Sequence, residues 1–317
     1  MFRKLMTVTA LSLLGASVQA VSDPDKVMGP DECAECHDVE TSIWEETHHF
    51  NTFETMPASD EGVDIAERMG IDDPVEAPLC QSCHLTVMGE GNDAEVIAGV
   101  SCESCHGAGA DWIDVHSEED KPADQVDAIW AESEAAGMIR PGNIHALASN
   151  CLSCHIVPQE ALVNTGQHTP GSDFELVTYS QGEVRHNTYH SEDNRPASIE
   201  KQRLMLAVGV MVEAERALRA LAEATNADGD YATSMQARLK HAGDRIEQYA
   251  EATGHPDLNA AAQNLATDVA VGDAGLNAIA DNLASSAKNL SVTDADLAAL
   301  DSFLDQLGEP KGDVYEM

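Results

Sequence analysis

A chain of 317 residues is long enough for one or two domains. With 17 basic against 56 acidic side chains its net charge is −39, which repels nucleic acid and anionic membranes and favours basic partners. The same charge suits a solvated acidic surface of the kind adapted to high salt, so it narrows the partners without pointing to a mechanism.

Residues 1–20 read as a secretory signal. Arg3 and Lys4 form a basic start, an apolar run spans Leu5 to Leu14, and Val18-Gln19-Ala20 offers small residues for cleavage. That run is too short to span a bilayer, and no later segment approaches such a length. The expectation is a periplasmic or extracellular protein with no membrane span. Residues 21–195 hold all eight cysteines and are rich in turn signals. Helices are expected over Asp38–Glu54, over Asp124–Ala136 and around each cysteine motif, with a short strand or turn at Phe174–Tyr179.

The character changes at Arg195-Pro196. Ser198–Thr225 is alanine- and leucine-rich and free of proline, and Asn226–Asp230 breaks it. Tyr231–Thr253 follows as an amphipathic helix. Leu258–Asn289 reads as a third helix with a break expected at Gly272. Thr293–Leu307 reads as a fourth, with Thr293 and Asp296 as a capping box and Gly308 and Pro310 as the stop. Short connections imply antiparallel neighbours, hence a four-helix bundle over 196–308 and a tail over 309–317. No chemistry is legible in the bundle. It reads as a packing module or a surface for homo-oligomerisation.

The chemistry lies in four motifs: Cys33-Ala34-Glu35-Cys36-His37, Cys80-Gln81-Ser82-Cys83-His84, Cys102-Glu103-Ser104-Cys105-His106 and Cys151-Leu152-Ser153-Cys154-His155. Each cysteine pair can form two thioethers to one haem, and the histidine that follows then falls beneath the iron. Zinc ribbons do not need a histidine after every pair. A redox Cys-x-x-Cys calls for a βαβ setting that is not visible here, and four disulfides would leave the four histidines unexplained. The motifs consume every cysteine. Four covalently bound haem c groups are therefore expected, in a mainly α chain. It would pair a haem-cored cytochrome c domain of little regular structure with a C-terminal antiparallel helical bundle. Porphyrins would also supply bulk that an aromatic content of 4% lacks.

Nine histidines remain: His48, His49, His116, His145, His168, His186, His190, His241 and His255. Seven lie in or just after the motif-bearing region, which suggests bis-histidine ligation; Met88 and Met138 make no pattern as alternatives. His49 lies twelve residues after His37 in a stretch that reads as helical. A helix rises about 1.5 Å per residue, so the two are roughly 18 Å apart and cannot clasp one iron. His49 should serve a different haem. Gly107-Ala108-Gly109 turns the chain between His106 and His116. At most one of His48 and His49 is expected to bind. His145, His168 and His190 could equally be buried or bound to a propionate, and His241 and His255 read as surface residues.

The first motif with Trp44, Thr47 and His49 resembles the first haem segment of the cytochrome c-554 family. Gly99-Val100-Ser101 running into the third motif, with Gly107, Gly109 and His116 behind it, is similar as well. The resemblance covers roughly residues 31–190. It implies that His116 completes the first haem with His37, that His49 completes the fourth with His155, and that His186, or His190 in its place, completes the third with His106. In the family's best-known member, a tetrahaem electron carrier, the second haem has no side-chain sixth ligand and a Thr-Pro segment lies over it. Thr169-Pro170 looks like the counterpart, but His168 precedes it here and could close that position with His84; His145 and His190 are the other choices. That member is also basic and lacks a comparable bundle, so its partners are not carried over.

Three functions follow as expectations. A multihaem electron carrier working with redox protein partners of basic surface is favoured. An enzyme acting on a small nitrogen oxide or hydroxylamine would need an open second haem. A conductive filament of stacked subunits would need a histidine donated between chains.

Overall fold

The structure is a computed structural model that describes residues 23–117, 121–189, 193–292 and 296–315. The expected signal peptide and His190 lie outside these residues. The chain is mainly α. In the first half the helices are short: α1 (Pro30–Ala34), α2 (Asp38–Trp44), α3 (His48–Ala58), α4 (Asp60–Met69) and α5 (Pro78–His84). A two-stranded antiparallel hairpin follows, β1 (Thr86–Met88) with β2 (Glu95–Ala98), bulged between Thr86 and Val87. Then come α6 (Cys102–His106), α7 (Ala123–Ala135), α8 (Ile144–His155), α9 (Glu160–Asn164) and α10 (Leu176–Ser180).

Local signals explain these boundaries. Proline opens α1 and α5 at their first turns, where its missing N–H costs nothing. A capping box of Ser101 and Ser104 opens α6, and Asn143 caps α8. The single helix expected over 38–54 is two. Thr47 takes an extended conformation and its hydroxyl accepts the Phe50 N–H, so the chain restarts as α3 at a new angle. The segment 174–179, expected as strand or turn, instead enters α10, whose first turn is capped by Glu175 through the Val177 and Thr178 N–H groups. The helix expected over 124–136 is α7.

The second half is built on α11 (Ile199–Glu223), α12 (Asp230–Thr253), α13 (Pro256–Asn264) and α14 (Leu276–Val292). A 3-10 turn and the one-turn α15 (Asp301–Leu304) complete it. Ser198 caps α11, while left-handed Gly254 ends α12. The third expected helix breaks over 265–275, a wider gap than Gly272 alone implies. The fourth shrinks to α15 and its preceding turn, and part of its expected capping box lies outside the described residues. Buried α11 residues lie all round the helix, including Leu206, Val208, Met211, Val212, Leu218 and Leu221. This is the pattern of a helix packed on several sides. Its neighbours are α12, α14 and, from the first half, α8. One continuous apolar core therefore runs from Ile144, Ala148 and Leu152 of α8 into α11 and on to Leu290 and Leu300. No described helix is long and apolar enough to cross a membrane.

Candidate haem centres

Each motif lies on or just after a short helix, so its two cysteines and its histidine share one turn of backbone. His84, His106 and His155 are the last residues of α5, α6 and α8, and His37 stands at the start of α2. None of the eight cysteines is in a disulfide. The Cys33 thiol meets Cys102, and Cys83 meets Cys154. Cys105 lies within electrostatic reach of Cys151 and Cys154. The first motif is thus beside the third, the second beside the fourth, and the third beside the fourth.

The remaining candidate ligands face these motifs in four pairs. Ring centres are 6.3 Å apart for His37 and His116, 6.3 Å for His84 and His168, 6.0 Å for His106 and His186, and 6.2 Å for His49 and His155. With metal–nitrogen bonds of about 2.0 Å on each side, two imidazoles trans across one metal put their ring centres roughly 6 Å apart. Four independent pairs share this one spacing, which suits a metal held between the two rings of each pair.

The hydrogen bonds of the rings fit as well. Nδ1 lies 3.0 Å from the Ile139 carbonyl in His106 and 2.7 Å from a carbonyl in each of His116, His168 and His186. A carbonyl can only accept, so each Nδ1 carries the proton and Nε2 keeps its lone pair for a metal. In His37 the Glu40 carboxylate lies 3.6 Å from Nδ1. Burial, with the neighbouring His186, pushes His106 down to about 4. Burial, with the neighbouring His49, does the same to His155. Both are therefore neutral near pH 7, the form that binds metal.

The other histidines are placed elsewhere. His48 points outward against Glu183, with Nδ1 and a carboxylate oxygen 2.6 Å apart. His145 lies 3.7 Å from Glu215 at the contact of α8 with α11. His241 is exposed, and His255, expected at the surface, caps α13 by accepting the Asp257 N–H.

Three features had no signal in the spacing of the sequence. Glu103, 1% exposed inside the third motif, accepts the N–H groups of Met28, Gly29 and Gly109 at 2.9, 2.8 and 2.7 Å. One carboxylate thereby ties the approach to the first motif to the loop that leads to His116. Trp112, in edge contact with His116 at 5.2 Å, has a buried Nε1 with no acceptor among the described residues. A buried donor is costly without a partner, and a haem propionate is an acceptor of the right kind. Gln167, just before His168, has φ +60°. A non-glycine residue held there costs about 1–3 kcal/mol, a strain that accompanies the turn of His168 toward His84.

A family model described as cytochrome c554 and c-prime matches residues 32–107, the stretch from the first motif through the third. Over that stretch the chain is similar to the cytochrome c-554 family. Cytochrome c-554 of Nitrosomonas europaea is 22% identical over 136 residues, covering 40% of this chain. The match spans 57% of the length of that relative. No solved structure matches the chain. The match supports a c-type cytochrome, whose group is covalently bound haem c, and the eight cysteines and the facing histidine pairs are a donor set suited to that group.

Proposed function

We propose that the protein is a tetrahaem electron carrier of the periplasm or the cell exterior, with every haem closed on both faces by histidine. The four facing imidazole pairs carry this reading. Cys33, Cys36, His37 and His116 would hold the first haem, and Cys80, Cys83, His84 and His168 the second. Cys102, Cys105, His106 and His186 would hold the third, and Cys151, Cys154, His155 and His49 the fourth. When bound, haem c supplies one-electron exchange between ferric and ferrous iron.

The chain arranges the centres for relay. Contacts between motifs support the order first, third, fourth, second, because Cys33 touches Cys102, Cys105 lies near Cys151, and Cys154 touches Cys83. His168 facing His84 at 6.3 Å argues against an open second site for a nitrogen oxide or hydroxylamine. The haem domain would run over 21–195 and the helical domain over 196–308, and the acidic surface would select basic redox partners.

Electron paramagnetic resonance and optical spectra of the purified ferric holoprotein test the reading. The expected result is four low-spin haems, with His168→Ala converting one of the four to high spin. A high-spin component in the unaltered protein would overturn ligation by histidine at every site.

A further inference from the structure

The fourth haem site is the one that the helical half of the molecule helps to build. His155 Nδ1 lies 3.0 Å from Ser172 Oγ, and the Ser172 N–H donates to the His155 carbonyl at 3.2 Å. Behind that turn stands Arg238 of α12. Its Nη2 donates to the Ser172 carbonyl at 2.9 Å, while Nη1 pairs with Glu213 of α11 at 2.8 Å. Both side chains of the pair are largely buried, at 14% and 13% exposure. Gly171, at φ +107°, lets the turn fit between the two. A Cβ there would lie 2.5 Å from the His155 carbonyl oxygen and 3.0 Å from Arg238 Nη2. Phe174 stacks on the His155 ring at 4.6 Å and fixes its plane.

We infer that Arg238 is a positioning residue for the fourth haem, bracing the 171–172 turn that orients His155 and raising the reduction potential of that haem. The physical reason is charge. Reduction of ferric to ferrous haem by one electron adds a negative charge to the site, and the guanidinium, the positive end of the Arg238–Glu213 pair and the end that touches the turn, favours the reduced form. The effect is strong where water is excluded, because the effective dielectric is low. Arg238 lies far outside the stretch, residues 32–107, that the family model matches. The helical half would therefore tune one haem of the relay rather than merely cover it.

The inference rests on His155 being an iron ligand, and the test separates the two claims. Holoprotein carrying Arg238→Gln is titrated potentiometrically with optical detection, beside the unaltered protein and Arg238→Lys. The expected result is that one of four midpoints falls in Arg238→Gln and is restored in Arg238→Lys, while all haems stay low-spin. Arg238→Gln leaves Glu213 as a buried unpaired charge, so the double variant Arg238→Gln/Glu213→Gln supplies the same comparison without one. Four low-spin components whose midpoints match the unaltered protein in both variants would overturn the role of Arg238. Failure of His155 as a ligand would be seen differently, as a fourth haem that is not bis-histidine in the unaltered protein.

Discussion

The two halves of the chain are stabilised in different ways. In α11, thirteen residues are buried and pack against α8, α12 and α14. In α1, α3 and α5, which carry or flank the motifs, none is. Phe50 and Phe53 of α3 are 37% and 42% exposed, large apolar surfaces beside a candidate ligand. The side-chain core is centred on the helical half and reaches into the first half through α8, α9 and α10, whereas α1, α3 and α5 bury no residue in it and lie among the paired histidines. The sharpest way to break this contrast is to prevent attachment of one haem. Cys102→Ser together with Cys105→Ser should remove about a quarter of the haem absorbance and loosen the surrounding short helices. Limited proteolysis should then cut within residues 23–117 while α11–α14 stay intact. Equal protection of both halves would show that the first does not depend on its cofactors.

The converse perturbation acts on the other half. Leu218 of α11 is fully buried, and Leu218→Ala should cost about 2–5 kcal/mol, the transfer term plus the residual cavity. Denaturant unfolding followed by far-ultraviolet circular dichroism would read the loss. The haem spectrum should keep its low-spin form in the folded variant, because Leu218 belongs to the side-chain core. A change of haem spin state in the folded variant would mean that the two halves are one cooperative unit at the level of ligation.

The contrast also decides what could be read from sequence. A Cys-x-x-Cys-His motif is local, so the four motifs and their four histidines were legible without a fold. The histidines that face them come from elsewhere in the chain, and only the family resemblance paired His116, His49 and His186 with their motifs. The pairing of His168 with His84 departs from that resemblance and needed the turn at Gln167. The long helices α11 and α12 were legible because alanine- and leucine-rich runs persist between clear stops. The break between α2 and α3 was not, since one threonine cap outweighs propensities that favour continuation. Likewise the gap over 265–275 separates two segments whose composition alone reads as one helix. Glu103 and Arg238 act through partners distant in sequence, which no spacing within their own segments reveals.

The smallest expected effect lies where the halves meet. Glu215 of α11 is buried beside Arg219, at 2.9 Å, and His145 of α8, at 3.7 Å. Burial alone would raise its carboxyl, but the neighbouring His145 and the bonded Arg219 outweigh it and hold the group below its ordinary value of 4.5. A carboxyl lowered in the folded state stabilises the fold above the unfolded-state value, and that stabilisation is lost as pH falls through the lowered one. Glu215→Gln should therefore cost about 1 kcal/mol at pH 7, near the lower end for a buried polar group that loses its charge partner. The cost should shrink below pH 4.5, where the glutamate itself takes up a proton and comes to resemble the amide. Urea midpoints of the two proteins measured across that range give the comparison. A gap that stays constant with pH would mean that the contact between α8 and α11 owes its stability to apolar packing alone, with the Glu215 charge contributing nothing.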